Sequence, residues 1–234
     1  HSIFALLAKG IPLEPNYVVL MHNMNDFALL SKTESYWIAP KGRAILIENN
    51  DANFSTIEDS SRNIFFNLIK TAKNILVPNL YTYLRPRLFA DIKLYRDEFE
   101  GFTKNYIDLD LDLMERNFRS SITSFVKISK AWNITPILMT QANRIDHNFK
   151  YFQRWVIRYQ RGEMTSREFS DLYKRMNEIT QEVAIQENVT LIDLDTQIPK
   201  TNEFLYDAIH LNEAGSILAG ELVTKKLVQV IKPQ

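Results

Sequence analysis

The sequence predicts an α/β protein built on a parallel sheet, and three observations predict it. Tyr17–Met21, Thr135–Thr140 and Val189–Asp193 are apolar runs of strand length bounded by polar or turn residues, the pattern of strands buried on both faces. Helical stripes separate them, and alternating helix and strand is the rhythm of crossover units on a parallel sheet. Glycine is scarce at 6 of 234 residues, about 2.6% against a usual value near 7%. That scarcity disfavours turn-rich all-β folds and glycine-rich phosphate loops.

The elements follow in order. Ile3, Leu6, Leu7 and Ala8 form a short helical stripe closed by Gly10 and Pro12. The first strand, Tyr17–Met21, runs into His22-Asn-Met-Asn-Asp26. Residues 33–54 look irregular. Ser55 and Glu58 make a capping-box pattern ahead of an apolar face at Ile57, Ile64, Phe65, Leu68 and Ile69, so a helix is expected over 56–75. Residues 77–107 mix Pro78, Pro86 and aromatics with basic side chains. Together 33–107 read as a long, lid-like excursion inside one domain, placed where substrate pockets tend to be built.

Met114, Phe118, Ile122, Phe125, Val126 and Ser129 mark the helix before the second strand. Thr165 and Glu168 offer a second capping box, followed by Phe169, Leu172, Met176, Ile179 and Val183. A last helix, roughly Glu213 to Ile231, carries Ile217, Leu218, Leu222, Leu227 and Val230. Three strands are few for an open parallel sheet. The chain begins on His1 within a helical pattern, so residues 1–234 are expected to be the C-terminal part of a single doubly wound domain. At roughly 30 residues per strand–helix unit, two missing units amount to about 60 residues upstream.

Composition excludes several classes. Lys and Arg total 28 and Asp and Glu total 28, and this balance argues against a nucleic-acid partner. No apolar run approaches the roughly 18 residues needed to cross a bilayer. With no cysteine, disulfides, thiolate metal sites and cysteine nucleophiles are absent.

Chemistry is expected at the carboxyl ends of the strands. Asn25 follows the first strand and offers an amide donor suited to a developing oxyanion, although Asn and Asp also favour turns for local reasons. Asp207 and His210 lie between the last strand and the last helix. A carboxylate three residues before an imidazole can hold it in one tautomer, which is two-thirds of a hydrolase triad.

These residues resemble the motifs of the SGNH (GDSL) hydrolases. Asn23-Met-Asn25-Asp26 is similar to their third block, with Asn23 in place of its glycine. Asp207-Ala-Ile-His210, with Asn212 and Gly215, is similar to their fifth, and Pro136–Gln141 to their fourth strand. The resemblance implies a flavodoxin-like, three-layer α/β/α fold and a serine ester hydrolase without metal or organic cofactor. It implies His210 as base, Asp207 as its orienter and Asn25 as oxyanion donor, on a small-molecule, glycan or lipid ester. The Gly-Asp-Ser block with the nucleophile is expected upstream of His1, because Ser2 has no Gly-Asp before it and sits in the wrong element. The chain alone is therefore expected to be inactive. The resemblance also points to a bacterial cell envelope or secreted setting.

Other residues have two readings each. Asn23 either narrows the pocket or adds a donor, and His22 either touches substrate or satisfies backbone groups at a strand end. Thr140, Gln141 and Asn143 either line the pocket or act as caps. Asp108, Asp110 and Asp112 lack the glycine and glutamate of a calcium loop and read as acidic residues at a helix start. The aromatic and arginine run from Asn148 to Arg161 reads as an amphipathic helix or as a site for an acidic ligand. Asn53, Asn133 and Asn188 fit the glycosylation triplet. Two further functions compete with the esterase: an acetyl transferase acting on a glycan, and a non-catalytic binding domain.

Overall fold

The computed structural model describes residues 2–37, 106–146, 152–153 and 164–231. The helix expected at 56–75 and nearly all of the 33–107 excursion lie outside the described residues. So do Asn53 and most of the 148–161 run.

The chain forms a three-stranded parallel sheet in the order β1-β2-β3, with β1 at Tyr17–Met21, β2 at Thr135–Thr140 and β3 at Thr190–Asp193. β1 and β2 pair from Tyr17 opposite Thr135 to Met21 opposite Met139. β3 joins the other side of β2 only from Ile137 onward. Pro136, which cannot donate to a ladder, thus sits ahead of the first β2–β3 pair. Asn133 and Asn188 take left-handed φ values of 58° and 49° in the tight turns before β2 and β3, a conformation Asn tolerates better than most residues.

Six α-helices surround the sheet among the described residues: α1 (Ser2–Ala5), α2 (Met24–Thr33), α3 (Leu111–Ala131), α4 (Ser166–Gln186), α5 (Leu194–Gln197) and α6 (Glu213–Val230). α1 continues through a π-helical turn, Leu6–Gly10, and a 3-10 turn, Ile11–Leu13. Asp110 caps α3 by accepting from Leu113 N at 2.8 Å. Thr165 and Glu168 form the reciprocal capping box of α4.

Because alternate residues of a strand face opposite sides, β2 feeds two apolar clusters. Leu138 joins Leu20, Phe118, Ile122, Phe169, Met176 and Ile179, the cluster that α3 and α4 pack into. Ile137 joins Ile192, Leu194, Leu205 and Ala219, the cluster beneath α6. The buried set of α3 is Met114, Phe118, Ile122, Phe125, Val126 and Ser129, the stripe read from the sequence. α6 is shallower than expected: only Gly215 and Ala219 are buried, and Ile217 is exposed.

α2 is the element the sequence pattern does not reveal. Every residue from Asp26 to Thr33 is buried, so no polar face exists to create a helical period. It places Phe27 against Phe169 and Tyr173 of α4, with ring centroids 4.2 and 6.0 Å apart. Its end is made by Glu34, at φ 56°, whose N–H donates to Leu30 O. The carboxyl ends of β1 and β2 are thereby held beside the first turn of α2.

Candidate active site

The loop between α5 and α6 carries Asp207 and His210, and several local bonds shape it. Leu205 and Leu211 form an isolated antiparallel bridge, and Tyr206 N–H donates to His210 O at 3.1 Å. Arg144 N–H, just past β2, donates to Ala208 O at 2.7 Å and ties the loop to the sheet edge. Asn212 caps α6 by accepting from Gly215 N at 3.0 Å, while its amide donates to Asn202 O and Glu203 O. A Cβ on Gly215 would stand 2.0 Å from Phe204 O, so only glycine lets the helix start this close to the loop.

Within that frame Asp207 holds His210 at two points. Its Oδ2 lies 2.7 Å from His210 Nδ1, and its Oδ1 accepts from the His210 and Ile209 backbone N–H groups at 2.8 and 2.9 Å. Burial raises the Asp207 carboxyl, but the Ile209 N–H, the His210 side chain and the His210 N–H outweigh it. The carboxyl is held below its ordinary value. Tyr206 stacks on the imidazole at 5.4 Å between centroids and 9° between planes. Side-chain exposure is 56% for His210 and 30% for Asp207. Nε2 of His210 has no partner among the described residues, which leaves it open to a proton.

A cavity of about 840 Å³ runs along the strand ends, and its lining includes His210, Ile209, His22, Asn25, Asp26 and Gln141. Asn25 is exposed in the first turn of α2, and its side chain has no hydrogen-bond partner among the described residues. The structure therefore brings Asn25, His22 and His210 to one cavity.

Two expected site residues hold their polar side-chain groups to neighbouring elements. Thr140 is fully buried, donates to Asp193 Oδ1 at 2.7 Å and accepts from Asp195 N at 3.1 Å. Its hydroxyl ties β2 to β3 and α5, and it does not line the cavity. Asn23 lines the cavity, and its amide donates to α4, to Asn177 Oδ1 at 2.6 Å and Tyr173 O at 3.5 Å. Gln141 props the cavity from behind: its Oε1 accepts from Met24 N at 3.0 Å and from the Tyr173 hydroxyl at 2.9 Å.

Ser2, which the sequence motif rejects as the nucleophile, lines the same cavity, and sequence reasoning missed Tyr36 and a row on α3 comprising Asn117, Ser120, Ser121 and Ser124, which line it too. The row interrupts no apolar stripe, so hydropathy carries no trace of it. A second hollow of about 740 Å³, bordered by Arg144, Lys200 and Glu203, contains none of the predicted site residues. No group of three or more metal-ligating side chains occurs among the described residues.

No family model and no curated protein matches the chain. Among solved structures, a GDSL-like lipase from Bacteroides thetaiotaomicron is similar at 14% identity with a TM-score of 0.35. The match covers 53% of this chain and 55% of that one, so the chain spans about half of that protein's length.

Proposed function

We propose that this chain is the C-terminal part of a serine ester hydrolase of the SGNH type. The observation that carries the reading is an imidazole fixed by a carboxylate on Nδ1, open on Nε2, at a cavity that also receives a free amide. That arrangement supports reading the pair as the base and orienter of a triad, which is defined by geometry and role.

In this reading His210 Nε2 takes the proton of a serine hydroxyl as the oxygen attacks an ester carbonyl. The imidazolium then returns that proton to the leaving alkoxide. Asp207 keeps the tautomer and stabilises the charged ring, and Asn25 donates to the tetrahedral oxyanion. Water completes the cycle by hydrolysing the acyl-serine, again with His210 as base.

The serine itself belongs to a strand–helix unit upstream. β1 supports this, because it has one neighbour among the described strands and leaves Val19 42% and Met21 45% exposed. Those apolar side chains alternate toward one face, as a covered strand's would. Further units there would complete a three-layer sheet between α3 and α4 on one side and α6 on the other.

The test is release of alcohol from short acyl esters by the full-length protein. Wild type turns over, and His210→Ala lowers kcat by about 10³-fold or more with an unchanged circular dichroism spectrum. Equal turnover in the variant excludes His210 as the base.

A further inference from the structure

The cavity also holds a serine, a histidine and an aspartate in succession, which the mechanism above leaves unused. Ser2 Oγ lies 2.7 Å from His22 Nε2. On the other side of that ring, His22 Nδ1 lies 3.3 Å from Asp26 Oδ1. The same Asp26 oxygen accepts from the Tyr36 hydroxyl at 2.7 Å. Burial first, then the Asp26 carboxylate, push the Tyr36 phenol far above its ordinary value, so Tyr36 is a constant donor there.

These groups converge from α1, the end of β1, the first turn of α2 and the segment after α2. All four line the cavity with Asn25 and His210. The histidine and aspartate side chains are only 17% and 10% exposed. The His22–Asp26 contact is within ion-pair distance, yet its angle leaves Nδ1 without a formed hydrogen bond. Such bonds are often long in empty sites and tighten when substrate binds.

We propose that Ser2 is a second acyl acceptor in this cavity, with His22 as its base and Asp26 orienting His22. The proposal rests on the reading that the cavity receives an acyl ester. A serine hydroxyl is a poor nucleophile until a neighbouring base takes its proton, and Nε2 is at the distance that transfer needs. Ser2 Oγ bonds to the ester carbonyl carbon as its proton passes to His22 Nε2. The bond from that carbon to the alcohol oxygen then breaks, and the alcohol leaves with the proton, giving acyl-Ser2.

Oxyanion donors stand next to these groups. The first bond inside α2 is from Phe27 N to Asn23 O, and Met24 N is held by Gln141. The backbone N–H of Asn25 has no partner among the described residues. A helix start of this kind favours developing negative charge.

The experiment is covalent trapping of the protein with a fluorophosphonate, a serine-directed phosphoryl probe, followed by peptide mass spectrometry to locate the adduct. An adduct on Ser2 is expected. Ser2→Ala, which removes one half-buried hydroxyl, loses it, and His22→Gln slows its formation about 100-fold. Absence of an adduct on Ser2, or an unchanged rate in His22→Gln with native circular dichroism, overturns the proposal. The adduct's position reads Ser2, whereas ester turnover in His210→Ala reads the function proposed above, so the two failures are distinct.

Discussion

Asp207 meets the His210 imidazole with Oδ2 and the backbone N–H groups of Ile209 and His210 with Oδ1, and this explains why two positions three residues apart are informative. The bonds to His210 Nδ1, His210 N and Ile209 N close within one turn of chain, so the spacing in the sequence already contains the geometry. Asp207→Asn is expected to keep the loop but favour the wrong tautomer. On the proposed esterase reading its kcat falls by about 10³–10⁴-fold with little change in KM, as in serine-protease triads, and steady-state kinetics checks it. Asn23 and Thr140 were not legible in the same way. Their partners, Asn177, Asp193 and Asp195, are distant in sequence, and nothing local tells a strand-end amide or hydroxyl which way to turn. Gly215 is legible only in part: the sequence marks a helix start, but the close approach of Phe204 O requires coordinates. Gly215→Ala is expected to cost at least about 2 kcal/mol through overpacking, read as a lower denaturation midpoint.

Among elements, α3 and α4 were the most readable because each presents one apolar stripe to a core and a polar face to water. α2 was hidden because burial on all sides erases that contrast. Phe27, at its centre between Phe169 and Tyr173, is expected to cost about 3–5 kcal/mol when changed to alanine, measured by chemical denaturation. The capping box of α4 predicts a smaller loss, about 1 kcal/mol for Thr165→Ala. A set of ion pairs also joins α3 to α4: Arg175 meets Glu115, Glu178 and Glu182, and Arg119 meets Glu182. The bond from Arg175, then that from Arg119, holds the Glu182 carboxyl below its ordinary value. A depressed carboxylate contributes stability that is full above its unfolded-state value and is lost as pH falls through its folded value. Glu182→Gln is therefore expected to flatten the acid side of the stability–pH curve, modestly because the pair is partly solvated.

At the scale of the described fold, the candidate site lies at the strand ends and is lined by parts of the chain that are distant in sequence. Parallel strands point their carboxyl ends the same way, so segments after β1 and β2 share an edge with the loop before α6. That rule made the edge predictable from three apolar runs. It did not foretell that α1 and α3 would close the cavity with Ser2 and the Asn117–Ser124 row, since their polar residues carry no periodic signal. The central claim is that Asn25 and His210 act on one substrate in one cavity, and kcat of Asn25→Ala on a short aryl ester tests it most directly. The account predicts a fall of about 10²–10³-fold with KM nearly unchanged, the loss expected for a donor that bonds only the oxyanion. A kcat equal to wild type would contradict it.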